Sequence, residues 1–290
     1  MPACPESVVQ LRHGLWLDGR AHTSATIRAL SGADEMLLAE LDETTLPATR
    51  ASLLLANTVQ SIGDLNPVTT QTVRQLTVGD RERLLLALHA ISFGRLDTTV
   101  RCPSADCGEL LELPLEAHEL MQSGAPAATA LPLEHDIDIT LHGQAVHVRF
   151  RLPTGADQEM AAREALQDVD SAAARLLSAC IIEATRRDAM ILEPASVLGT
   201  LRAPLEKALS QLDPAAQIGS SVACPVCNTR VDVLLDAFSL LAAELRYTES
   251  ILVEVHRLAC AYHWTEAEIL GLPIQRRRRY LALTTKEGTA

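Results

Sequence analysis

Aromatic side chains are scarce: three Phe, three Tyr and two Trp in 290 residues. So few rings leave little for stacking on bases or sugars, the device by which single-stranded nucleic acid is held. Positive charge is the minority sign, with 25 Lys and Arg against 37 Asp and Glu and a formal net charge of −12. Affinity for phosphates comes from Lys and Arg, so nucleic acid is not expected as the main partner. No apolar run approaches the ~18 residues a membrane-spanning helix needs, so no membrane contact is expected. The opening Met1-Pro-Ala-Cys-Pro-Glu6 has neither a basic nor an apolar region, and no signal peptide is expected. Catalytic signatures are also missing. There is no P-loop, G-x-S-x-G, H-E-x-x-H or separated acid pair with supporting context, and no catalytic residue is assigned. His256 and His263, with Glu254 nearby, lie in a helical stretch where packing or exposure is the commoner role.

What the chain has is seven cysteines, four of them in two clusters: Cys102-Pro-Ser-Ala-Asp-Cys107 and Cys224-Pro-Val-Cys227. Each cluster separates two alternating runs. Thr98 to Arg101 and Leu110 to Leu113 flank the first, and Ser220 to Ala223 and Arg230 to Leu234 flank the second. Both read as β-hairpins with thiols at the turn. Two thiolates from each tip complete a closed, structural Cys4 zinc site of the ribbon kind, with Cys102, Cys107, Cys224 and Cys227 as ligands. Closing a loop of about 116 residues costs roughly 4 kcal/mol plus a constant. Structural zinc in small peptides contributes an apparent ~10–16 kcal/mol, so the metal outweighs the closure.

Other readings of these thiols fit less well. A thioredoxin-like pair wants its CxxC at a helix start, whereas strand-like Arg230 to Leu234 follows Cys227. A zinc deaminase wants H-x-E upstream of P-C-x-x-C, but no histidine has a glutamate two places on, and Ala223 precedes Cys224. Buried cysteines acting as small hydrophobes describe Cys180 and Cys260, within apolar helical stretches, better than pairs at polar turns. An odd number of cysteines in this spacing suits a reducing cytosol.

At 48% hydrophobic and 21% charged residues, the chain is globular and long enough for two lobes. Val8 to Leu30 suggests a hairpin, after which Ser31 caps a helix carrying Asp34 and Glu35 in its first turn. Helices are expected from Pro47 to Ile62 and from Gly79 to Phe93. The Pro- and Ala-rich tract from Ser123 reads as a link. Beyond it a hairpin recurs over Ile137 to Phe150, and Arg151-Leu-Pro-Thr-Gly-Ala-Asp-Gln158 repeats Arg28-Ala-Leu-Ser-Gly-Ala-Asp-Glu35 at an offset of 123. Helices follow at 156–166, 171–185 and 194–212, then the second thiol tip. The pattern predicts an α+β, mostly helical fold. Two pseudo-repeated lobes, 1–122 and 135–236, flank a linker at 123–134 and share the metal, and helices fill 237–290.

In that last segment Phe238 to Ala261 keep one broad apolar face. Thr265 and Glu268 form a capping box, with Trp264 and Ile269 as its hydrophobic staple. Arg276 to Arg279 sweep about 300° of a helix at roughly 100° each, too wide for one binding stripe. A solvated, acid-paired helix end is expected, or else a contact with an acidic partner.

The combination resembles the T4-like baseplate hub and tail-assembly proteins of contractile phage tails and related injection systems. The matching stretches are Gly79-Asp80-Arg81 leading into Leu84-Leu85-Leu86, Phe93-Gly94, both cysteine tips, Arg151-Leu-Pro-Thr154, the run from Glu254 to Leu270, and Arg277 to Tyr280. Two features depart from the family pattern: four residues separate the cysteines of the first tip instead of two, and Pro273-Ile274-Gln275 lacks an aromatic. The resemblance implies a non-enzymatic role in building or forming a baseplate, with other baseplate or hub proteins as partners. It also implies a place in the host cytoplasm during assembly or in the finished tail. A zinc-ribbon adaptor for nucleic acid or a transcription complex is the alternative.

Overall fold

Alternation in the first 28 residues makes a hairpin, and the sheet it begins is completed from farther along the chain. The computed structural model describes residues 4–115, 117, 120, 132–186, 188, 190–246 and 250–287. Strands β1 (Glu6–Leu17) and β2 (Arg20–Arg28) pair antiparallel around Asp18 and Gly19, both at positive φ. Helices α1 (Gly32–Glu40) and α2 (Pro47–Thr58) follow, and then β3 (Val59–Ile62) returns to pair with β2. The expected helix to Ile62 therefore stops at Thr58. A short apolar run fits either period, and here Val59 and Ile62 are buried as strand residues beside β2. Next come α3 (Thr70–Gln75), α4 (Val78–Phe93), and the hairpin β4 (Leu96–Arg101) and β5 (Leu110–Leu115).

The second half contains β6 (Glu134–Leu141), β7 (Gln144–Arg151), α5 (Gly155–Glu164), α6 (Val169–Cys180) and β8 (Ile181–Arg186). Again the third strand pairs with the second, giving the order β6-β7-β8. The helix expected over 171–185 ends at Cys180 for the same reason: Ile181 and Ala184 turn inward from a strand. Helix α7 (Pro194–Leu212) leads to the hairpin β9 (Ile218–Ala223) and β10 (Arg230–Leu235). The C-terminal face reads as one stretch in sequence but is two helices, α8 (Ala237–Arg246) and α9 (Ile251–Tyr262); α10 (Glu266–Leu270) and α11 (Ile274–Glu287) complete the chain. The fold is α+β, with eleven helices and small antiparallel sheets among the described residues. Most of the expected linker, residues 123–131, lies outside the described residues. No helix among them is long and apolar enough to cross a membrane.

Three apolar clusters hold these elements. The largest joins the first sheet, α4, both thiol hairpins and α8. A second packs the other three-stranded sheet on α6 and α7, and a small third unites α9, α10 and α11. The thiol hairpins of both halves thus share the core of the first sheet.

Every residue of α4 from Gly79 to His89 is buried, including ionisable ones that need partners. Asp80 accepts the backbone N–H of Arg12, His13 and Gly14 at 2.6, 3.0 and 2.8 Å, which fixes the bulge in β1. Arg81 donates to the Val73 carbonyl and the Ser52 hydroxyl, both at 3.0 Å. The amide of Gly79 donates to Asp213 at 2.9 Å, and burial pushes that carboxyl up to about 6. Glu82 accepts the Ala237 N–H at 2.9 Å; burial, then neighbouring Asp236, push it up to about 7.

Two helix starts share one construction. Asp34 takes both guanidinium arms of Arg28, at 2.6 and 2.9 Å, and the Ser31 N–H and hydroxyl, both at 2.8 Å. Asp157 does the same with Arg151, at 2.6 and 2.9 Å, and with Thr154 at 2.9 and 2.8 Å. Each start receives a distant chain segment. Gly32 donates to the Leu272 carbonyl at 3.3 Å and Ile274 to that of Leu30 at 3.0 Å; Gly155 donates to Leu76 at 3.0 Å and Val78 to Pro153 at 3.1 Å. An arginine closes over each glycine. A Cβ at Gly32 would lie 2.9 Å from Arg277 Nη1, and one at Gly155 2.5 Å from Arg81 Nη1.

Gly155→Ala should therefore cost on the order of 1–3 kcal/mol, the usual penalty of overpacking. Gly199→Ala, inside α7 with open space around it, should gain about 0.5–1 kcal/mol from helix propensity. Urea unfolding of the two variants checks the contrast. The raised pKa of Glu82 sets a pH dependence. The folded chain keeps a proton that the unfolded chain releases near 4.5, so this stabilising term is complete below about pH 4.5 and gone above about 7. Glu82→Gln should match the wild type at pH 4 and exceed it by roughly 2–3 kcal/mol at pH 8, read from urea midpoints at both values.

Candidate metal centre

Antiparallel pairing carries β4 and β5 up to Arg101 opposite Leu110, and β9 and β10 up to Ala223 opposite Arg230, and each ladder continues one bond into the thiol tip. Cys102 donates its amide to the Glu109 carbonyl at 2.8 Å, and Cys224 donates to Thr229 at 2.9 Å. Each tip then turns back through a left-handed residue just after its second cysteine, Gly108 at φ 61° and Asn228 at φ 59°. Glycine has no Cβ penalty there, and asparagine is among the few residues that tolerate it. The two extra residues of the first tip are absorbed within the turn, where the Ser104 carbonyl accepts the N–H groups of Cys107 and Gly108 at 3.1 and 3.2 Å. The longer spacing thus leaves the exit from the loop alike in both tips.

The four thiols come together. Cys102 Sγ lies 3.5 Å from Cys227 Sγ, and Cys107 Sγ lies 3.7 Å from Cys224 Sγ. All four sulfurs fall within 4.8 Å of one another. A thiolate tetrahedron with metal–sulfur bonds of ~2.3 Å has edges of roughly 3.8 Å, so the observed separations fit a central ion. Cys102 and Cys224 are buried, Cys107 is half-buried and Cys227 is exposed. Among the described residues no other group of three or more His, Cys, Asp or Glu side chains gathers in this way.

The electrostatics favour a cation at the centre. Four negative sulfurs at this spacing repel strongly, so the thiols share protons unevenly when nothing neutralises them. A backbone hydrogen bond at Ser104 pulls Cys102 down, but desolvation and the three neighbouring thiols outweigh it and push it up to about 12. Cys227 is held down at about 6, first by the Thr229 side chain, 3.2 Å from its sulfur. An ion removes the repulsion and draws all four into the thiolate form. With four protein ligands no coordination position remains for water or substrate, which is the pattern of a structural site.

Other singled-out residues divide. Cys180 is fully buried, and desolvation pushes it up to about 12, as suits an apolar helix. Cys260 does not follow the same reading: it is exposed, with its sulfur 3.8 Å from His256 Nε2. The Thr265–Glu268 capping box forms, with the Thr265 N–H and hydroxyl each 2.8 Å from Glu268 Oε2. In the arginine run only Arg276 and Arg279 are exposed. Arg277 is wholly buried, pairing with Glu35 and, at 2.6 Å, with Glu254; Arg278 lies over the Phe93 ring at 5.2 Å. Of the expected solvated, acid-paired helix end, the acid pairing holds at Arg277, and the solvation is corrected there because the side chain is wholly buried. Which acids pair with Arg277 had no sequence signal, because they sit on distant helices; Thr229 had one, its place two residues beyond the candidate ligand Cys227.

Reduced protein should carry one metal ion per chain, and Cys224→Ser should lose most of it together with cooperative unfolding. Elemental analysis beside thermal melts checks this, and unchanged metal and melting would contradict it.

The family model for T4 bacteriophage base plate protein matches residues 21–196. The match runs from β2 to the start of α7, takes in Cys102 and Cys107, and ends before the second thiol pair and the C-terminal helices. No curated protein and no solved structure matches the chain.

Proposed function

The chain belongs to the T4 bacteriophage base plate protein family, and from that membership we propose that it is a non-enzymatic component or assembly factor of a contractile-tail or related injection-system baseplate, built around one structural zinc. The family match over residues 21–196 carries this reading. Zinc is the ion we assign to Cys102, Cys107, Cys224 and Cys227, because a closed all-thiolate tetrahedron suits it. Its task is to tie the two halves of the chain, which we take to be duplicated lobes at 1–122 and 135–236 followed by C-terminal helices at 237–290. The partners are other baseplate or hub proteins. An acidic chain with its metal fully coordinated by protein suits a docking block, which acts in the host cytoplasm during assembly or stays in the tail.

Mass spectrometry of infected-cell lysate and of purified tails tests the proposal and separates its two forms. A structural subunit appears in both fractions, whereas an assembly factor appears in the lysate and is missing from finished tails. Co-purification with baseplate intermediates is expected in either case, and no association with tails or intermediates would remove the proposal.

A further inference from the structure

The segments docked on the two helix starts are themselves alike. Thr69 and Thr265 each cap a short helix, and each closes a capping box three residues on, with Thr72 and with Glu268. Eight residues further along, Thr77 bridges Thr154 and Pro273 bridges Ser31. Four beyond that stand Arg81 and Arg277, with relative exposures of 1% and 0%. One offset, 196, relates every pair, so a second repeat is superposed on the one at 123.

The contacts are also reciprocal. The segment ending at Arg81 belongs to the first half and fills the helix start of the second; the segment ending at Arg277 belongs to the second half and fills the helix start of the first. The thiols obey the same exchange. The first cysteine of each tip contacts the second cysteine of the other, Cys102 with Cys227 at 3.5 Å and Cys224 with Cys107 at 3.7 Å. Contacts in which i meets j while the counterpart of j meets the counterpart of i are the mark of an isologous two-fold interface. Repetition along the chain does not by itself produce this, since each copy could as readily dock on its own half.

We infer that the chain is a fused pseudo-dimer: its halves, 1–122 and 132–290, recognise each other through two arginine-on-glycine joints and a shared thiol cluster, and the partner this surface fits is the complementary half, including that of a second copy. The thiol portion rests on the metal reading above, whereas the joints need no metal. They differ in strength across the halves. Arg277 is positioned by Glu254 of its own half and pairs with Glu35 of the other, whereas Arg81 is held by Val73, Ala48 and Ser52 of its own half and meets the other by packing on Gly155. Around the weaker joint, Glu159 accepts the Ser52 hydroxyl at 2.6 Å and pairs with Arg74 at 3.3 Å, adding contacts between halves.

The test uses the whole chain with a protease site inserted among residues 123–131. After cleavage with metal present, the halves should co-elute at the volume of the intact protein and stay together when the metal is chelated. Mixing isotopically heavy and light cleaved protein in mild urea and then diluting it should yield heavy–light hybrids, counted by native mass spectrometry; this arm uses wild-type residues, so no variant need fold. Because the thiol hairpin and α8 of the second half also pack in the apolar core of the first, Arg81→Ala with Arg277→Ala should lower the urea concentration at which the cleaved, chelated halves separate. Separation of the cleaved wild type with metal present, or an absence of hybrids, overturns the inference. Separation of the cleaved wild type on chelation alone overturns the joints and leaves only the metal reading, and a double variant whose chelated halves separate at the wild-type urea concentration overturns the joints as well.

Discussion

A guanidinium group laid over a bare helix start is the contact on which the arrangement of this molecule turns. Removing such a charge from water costs several kcal/mol even after relaxation, and attraction to partners repays it only where the geometry is good. Both instances meet that condition in different ways. Arg277 is enclosed by Glu35 and Glu254, while Arg81 reaches a backbone carbonyl and a hydroxyl that is itself fixed by Glu159. Glycine at positions 32 and 155 is the steric complement, because any side chain there would occupy the space of the guanidinium. Burial of this kind is a weak source of net stability and a strong source of register: a docked segment shifted by one residue would leave a charge buried without its partners.

Helix α4 extends the same logic through the centre. Its first turn is bound from outside by Asp213, and its own Asp80 gathers three amides of the β1 bulge. The first sheet, the end of α7 and the start of α8 are therefore all fixed relative to one helix. The thiol cluster then lies against the largest apolar cluster, with Cys102 and Cys224 among its members. Binding of an ion here would therefore be coupled to packing, as in other small sites whose ligands converge only on folding.

Much of this was legible in the sequence because it is local. The thiol tips declared themselves by spacing and by the alternating runs beside them, and Ser31 and Thr265 announced helix starts with acids in the first turn. Strands β3 and β8 were hidden, since Val59–Ile62 and Ile181–Arg186 continue an apolar helical pattern and become strands only by pairing with β2 and β7. The roles of Arg81 and Arg277 were hidden for a related reason. Nothing near either residue indicates a binding place supplied by the other half, and charge beside charge in sequence reads as surface. The short helix α3, six residues long, was missed as well.

The reach of Arg277 back to Glu35 spans 242 positions, which has a meaning during biosynthesis. A ribosome adding ~5–20 residues per second needs roughly 12–50 seconds to travel that distance. Throughout that interval the emerging amino-terminal portion has a carboxylate and a glycine-lined notch awaiting a cation not yet translated. The notch at Gly32 and Glu35 thus stays unfilled until Arg277 is made, and a polypeptide truncated before α11 is left incomplete at that distant helix start.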